Sequence, residues 1–182
     1  DATIIHPSGI IGPNDYGHGH LTQMVINYLN GTLTACVEGG YDFVDVRDVA
    51  DGVIAAAEKG KKGECYILSN RYIPVRELLN TLSRVTGGKN INTVLPLWFA
   101  KLTAPFAELY YKIRHESPLF TRYTLYTLTS NARFTYEKAR RDLGYKPRDI
   151  SSTIKDTVAF LTKERKNLFR KRRVNKPVPV MG

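Results

Sequence analysis

The chain has 182 residues, 42% of them apolar and 24% charged, the balance of an ordinary globular protein and not of a disordered or collagen-like one. Two distant cysteines, Cys36 and Cys65, exclude a disulfide scaffold or a cysteine metal cage, and each reads as a small buried apolar residue. No apolar run is long enough to span a bilayer. The net charge of +10 gathers largely in 163–176, KERKNLFRKRRVNK. A block of like charge reads as a solvated, frayed tail; contact with an anionic membrane surface is the sharper alternative. With only Leu168 and Phe169 interleaved it offers no stacking platform, so no specific nucleic-acid recognition is expected.

The first stretch, TIIHPSGIIGPNDY, organises the rest. Thr3, Ile4 and Ile5 form a buried-strand pattern. Pro7 lacks an N–H and is expected to stop the ladder. Ser8-Gly9 allows a sharp turn, Ile10-Ile11 re-enters the interior, and Gly12-Pro13-Asn14-Asp15 is a turn cluster. Ligands of open α/β sheets sit at the carboxyl ends of strands, so this turn offers backbone groups and a hydroxyl at a ligand position. His18 and His20 follow on the loop before a helix over 19–30. A zinc pair lacks a third ligand, and a structural or substrate-contact role is the better reading.

Further on, short strands are expected at 33–37 and 41–46. Asp48 is placed as the N-cap of a helix over 49–59. A strand over 65–68 precedes a helix that begins at Pro74 and closes at Gly87-Gly88. A strand is expected at 91–95. An aromatic-rich helix over 97–113 is a candidate core element, pocket cover, dimer face or membrane-surface element. A short helix over 136–143 ends at Gly144. The last helix, from 153 to about 168, has Ser151 or Ser152 as its cap.

HPSGIIGPND, then GGYDFVDVRDVADG, GECYILSNRYIPVRELL and FTYEKARRDLGYKP, in that order, resemble the extended short-chain dehydrogenase/reductases. These are the NAD(P)-dependent epimerases, dehydratases and dihydroflavonol-reductase-like enzymes. The resemblance runs to about residue 161 and matches only the C-terminal half of that family. It implies an α/β fold: the C-terminal portion of a Rossmann-like NAD(P)-binding fold plus a smaller mixed α/β substrate domain, the N-terminal βαβ half being absent. The domain division expected is 1–162 and a basic tail over 163–182.

The family's G-x-x-G-x-x-G turn and Tyr-x-x-x-Lys pair are missing, so no catalytic residue is assigned and the chain is expected to be part of a longer protein. By resemblance, Pro7, Ser8 and the backbone near Ile10 would contact the nicotinamide end of NAD or NADP. Nucleotide-sugar members carry an arginine where this chain has Tyr41. A phenol cannot replace a bidentate guanidinium on a diphosphate. The expected substrate is therefore a small carbonyl or hydroxyl compound, contacted by Tyr41, His18 and His20, with Arg47 reaching the pocket or pairing with Asp45, Asp48 or Asp51. The alternatives are half of a nucleotide-sugar epimerase or dehydratase, and a non-catalytic interaction module. A cytoplasmic protein with a small-molecule substrate and no metal is expected, with homodimerisation through the aromatic helix as one option.

Overall fold

The computed structural model describes residues 1–100, 102, 126, 128 and 132–174, with side chains as far as residue 164. The expected aromatic helix over 97–113 falls mostly outside the described residues.

The chain opens with β1 (Ile4–Pro7) and β2 (Gly9–Ile11), followed by α1 (His20–Leu29), β3 (Cys36–Val37) and β4 (Gly40–Asp45). Next come α2 (Val46–Lys59), β5 (Cys65–Leu68), β6 (Arg71–Pro74), α3 (Val75–Thr86) and β7 (Val94–Leu95). Two helices end the described chain, α4 (Glu137–Leu143) and α5 (Ile150–Val174). The parallel pair β1–β5 runs in register from Ile4 opposite Cys65 to Pro7 opposite Leu68. Beyond it both strands bend, at Ser8 and at Ser69-Asn70. They then run in opposite senses along β4, β2 parallel to it and β6 antiparallel. Phe43 stands opposite both Gly9 and Arg71, so the middle of β4 lies across the mouth of the fork.

Alternation along β4 feeds two cores. Phe43 joins Val25, Leu78, Leu79, Leu82 and Ile154 in the larger one, built from α1, α3 and α5. Val44 points the other way, to Tyr66, Leu68, Ala139 and Leu143 beneath α2 and α4.

Several expectations change. Pro7 does not stop the ladder. Ile4 and Ser8 donate their N–H groups to Glu64 and Leu68 of the β5 segment. By alternation, the nitrogen of Pro7 faces the opposite edge, which pairs with no described strand, so the β1–β5 ladder loses no donor. The break comes one residue later. Ile4 is not buried but 50% exposed, because no described residue covers its face of β1. Cys36 is buried as expected, whereas Cys65, on that same uncovered face, is exposed.

Asp48 is not the cap of α2. Asp45 is: its Oδ1 accepts the Arg47 N–H at 2.8 Å. Asp48 lies within the first turn of the helix and accepts Arg148 Nε at 2.7 Å and Arg148 N–H at 2.9 Å, tying α2 to the segment before α5. The last helix starts at Ile150 and is capped by Asp149, whose carboxylate accepts the Ser151 N–H at 3.0 Å, and it continues to Val174. The strands over 33–37 and 91–95 shrink to two residues each, and β6 was not expected at all.

Close packing at the start of β4 generates a test. A Cβ on Gly40 would lie 2.5 Å from the carbonyl oxygen of Ile73 and 2.8 Å from Pro74 Cα, both backbone atoms that cannot swing aside. Gly40→Ala gains helix-independent rigidity in the unfolded chain worth under about 1 kcal/mol. It forces an overlap costing about 1–3 kcal/mol. A net loss of stability is expected in urea denaturation, with an unchanged or raised midpoint refuting it.

Candidate cofactor-end site

The fork places two strand ends together. Pro7 and Leu68 are the carboxyl-terminal residues of the parallel pair, and the chain leaves them at Ser8 and Ser69. Pro7 is exposed and Ile10 is 43% exposed, so both present apolar surface outward. Ser8 faces the other way. Its hydroxyl is buried and unpartnered, next to the Asp42 carboxyl. Gly9 is needed here, since a Cβ would come within 3.0 Å of the Asp42 carbonyl and of the Phe43 and Tyr41 rings.

Asp42 has no exposed surface. Its Oδ1 accepts the Asn70 N–H at 3.1 Å, and its Oδ2 is buried without a hydrogen bond. Burial raises its pKa, opposed by the nearby Ser8 hydroxyl and the Asn70 N–H. Asp45 is the opposite case. Burial would raise it, but hydrogen bonds from Arg47 and Thr153 outweigh that and hold the carboxyl below its ordinary value.

Beside the fork, Ile10, Pro13, Asn14, Val46, Arg47 and Ala50 line a cleft of about 520 Å³. The structure thus brings Ile10 and Arg47 together. Arg47 is fully engaged there: Nε and Nη2 meet Asp45 at 2.9 and 2.7 Å, and Nη1 meets Asp156 at 2.8 Å. It does not pair with Asp48 or Asp51, which Arg148 takes instead. His18 and His20 do not converge. His18 adopts φ +49° and sets Nε2 3.2 Å from Glu164, whereas His20 is the exposed first residue of α1. Tyr41 lies on the far side of β4 from Val44, its ring 5.9 Å from Phe134 and 6.2 Å from Phe43.

Residues not singled out in the sequence hold this loop. Asp156, Phe160 and Glu164 recur every four positions on α5 and meet Arg47, Tyr16 and His18 in turn. Phe134, and Arg133 over the Tyr72 ring at 5.5 Å, were also missed. The four-residue spacing on α5 was visible in the sequence, but nothing there named what it faces. Among the described residues, no three His, Cys, Asp or Glu side chains gather as a metal site, and no helix is long and apolar enough to cross a membrane.

No family model matches the chain. It is 28% identical over 164 residues to sterol demethylase protein B of Methylococcus capsulatus, aligning over 88% of this chain and 49% of that protein. It is likewise 28% identical over 162 residues to a protein of Synechocystis named as a dihydroflavonol 4-reductase, over 87% and 47% respectively. The crystal structure of gox2253 superposes with a TM-score of 0.73 at 32% identity, covering 90% of this chain and 49% of that one. A UDP-glucuronic acid 4-epimerase from Bacillus cereus, solved in complex with NAD, superposes with a TM-score of 0.61 at 15% identity, over 89% and 45%. The chain spans about half the length of the curated relatives it matches. The resemblance to extended short-chain dehydrogenase/reductases is borne out, and the fold is part of a Rossmann-type α/β fold of that group.

The carboxylates of the site yield a test with a definite sign. Asp45 has a folded pKa below its unfolded value, so its contribution is present above about pH 4 and is lost as pH falls through the folded value. Asp45→Asn is expected to cost about 2 kcal/mol at pH 7, from the weakened cap and the lost charge-assisted bonds. Its deficit against the parent should shrink below about pH 4. Thermal melts across pH 3–7 would show a pH-independent deficit if the assignment were wrong.

Proposed function

We propose that this chain is the C-terminal, substrate-binding half of an NAD(P)-dependent oxidoreductase or epimerase acting on a small carbonyl or hydroxyl compound. One observation carries the reading: the Pro7-Ser8-Gly9 turn stands at the carboxyl end of a parallel strand, where the sheet splits. A topological switch of this kind is where open α/β sheets bind ligands. The surface fits one end of the cofactor. Pro7 and Ile10 offer apolar contact for a nicotinamide ring, and the backbone of Ser8 is carried between them. The nicotinamide, when bound, supplies hydride chemistry. The 182 residues contain no Gly-rich turn to cradle a pyrophosphate.

The uncovered surfaces support a half-fold. Parallel strands are ordinarily buried on both faces. Here Ile4 and Cys65 are exposed on one face of β1–β5, and the outer edge of β1 pairs with no described strand. The helix α2 is apolar on two sides. Its outer side exposes Val46, Ala50, Val53, Ile54 and Ala57, with Ile54 58% exposed. A preceding βαβ half of the same polypeptide is the occupant we assign to these surfaces.

Arg47 supports the small substrate. Its guanidinium is engaged by Asp45 and Asp156, and Tyr41 packs among aromatic rings with no cation in its place. The substrate pocket we assign is shaped by Tyr41 and Phe134, with His18 on the bounding loop and His20 at its exit.

By itself the chain should bind NADH and NADPH only weakly, because the pyrophosphate-binding turn is missing. Isothermal calorimetry is expected to show no binding tighter than millimolar, and micromolar binding would refute the half-fold reading. Joined to a preceding half that carries such a turn, the protein should reduce small ketones. It should leave UDP- and dTDP-sugars untouched. Efficient turnover of a nucleotide sugar would overturn the substrate assignment.

A further inference from the structure

We propose that Asp42 is a positioning residue for the Pro7-Ser8-Gly9 turn, and through it for the cofactor end of the site; the second clause rests on the reading above. The argument is geometric. The two strands of the parallel pair leave it at Ser8 and at Ser69-Asn70, and β4 crosses the gap between them. Asp42 sits in β4 beside that crossing, with no exposed surface. One carboxyl oxygen holds the Asn70 N–H at 3.1 Å, on the β5–β6 side of the fork. The Ser8 hydroxyl, on the β1–β2 side, lies beside the same carboxyl. A single carboxyl therefore holds one of the two points where the chain leaves the parallel pair and lies beside the other.

The neighbourhood is polar in a way packing does not require. Among the described residues, the buried side-chain oxygens without a hydrogen bond are Ser8 Oγ, Asp42 Oδ2, Ser69 Oγ and Tyr145 Oη. Two of these belong to the bends and one to Asp42. A buried carboxyl with an unused oxygen is costly in an apolar site. An apolar residue there would remove that cost but would strip the Asn70 N–H of its acceptor and leave the Ser8 hydroxyl facing hydrocarbon. The turn would then be fixed by backbone alone: the Ser8 N–H bond to the Leu68 carbonyl, 3.1 Å long, the pairing of β2 with β4, and the contact of Gly9 with the Asp42 peptide. Burial also favours the neutral carboxyl, in which one oxygen can donate to Ser8 while the other accepts from Asn70. An asparagine has the same shape and the same pair of roles.

The test compares Asp42→Ala, Asp42→Asn and Ser8→Ala in the 182-residue chain by amide hydrogen exchange. Asp42→Ala should speed exchange at Ser8, Gly9, Ile10 and Asn70 at least tenfold more than at Leu79 and Leu82 in the core of α3. Asp42→Asn should restore the turn to within about twofold of the parent. Ser8→Ala, which removes only the hydroxyl beside the carboxyl, should loosen residues 8–10 and spare Asn70. Uniform acceleration across turn and core, or failure of asparagine to rescue, overturns the proposal. A second measurement separates it from the cofactor reading. In the longer polypeptide, Asp42→Ala should raise the KM for NAD(P)H severalfold and leave kcat nearly constant. A loosened turn with an unchanged KM overturns the cofactor role of the turn. A turn that stays fixed overturns the clamp whatever the KM does.

Discussion

Everything distinctive about this fold follows from how two parallel strands part. A β-strand pair held in register to Pro7 and Leu68 cannot simply stop, because the backbone groups beyond it still need partners. β4 supplies them by lying across the gap and pairing with β2 on one side and β6 on the other. That arrangement makes β4 the shared wall of both cores, with Phe43 facing one and Val44 the other. It also forces small or polar residues onto the crossing. Gly9 allows the close approach of backbone to backbone, and Asp42 occupies the place where a hydrocarbon side chain would leave the Asn70 N–H unsatisfied.

The charged residues form a second frame around the first. Asp45 caps α2 and grips Arg47, and Arg47 reaches on to Asp156 of α5. Arg148 does the same from the opposite direction, binding Asp48 and Asp51 of α2. The first turn of α2 is thus fastened on two sides to the segment that begins α5. Because Asp45 and Asp48 are buried, these pairs hold geometry more than they add stability. The loop between β2 and α1 inherits that rigidity, for Tyr16 and His18 rest on the same face of α5.

Much of this was legible in residue order. The helices announced themselves by periodicity, and the glycines at 87 and 144 ended them in the left-handed conformation that favours glycine. The resemblance to extended short-chain dehydrogenase/reductases was readable from four short motifs. What could not be read were choices that depend on distant partners. Two aspartates three residues apart can each cap a helix, and only the arrival of Arg148 from 100 positions away settles that Asp48 is engaged elsewhere. Arg71-Tyr72-Ile73-Pro74 did not stand out as a strand, since it is four residues long and ends in the proline that opens α3. Burial was harder still. Ile4 has the side chain of a core residue, and its exposure reflects what lies across from it, about which local sequence carries no signal.

Pro7 has a further consequence at the outer edge of β1, which pairs with no described strand. An unpaired parallel edge is a template on which other chains can add strands, and proteins guard such edges against runaway association. Along β1 the outward-pointing nitrogens alternate with those used by β5, so Ile5 can donate outward and Pro7 cannot. Any strand that adds there finds one good rung and then a missing one. A missing rung of this kind suits a short, register-specific neighbour and is among the devices by which strand edges in general are kept from stacking copies.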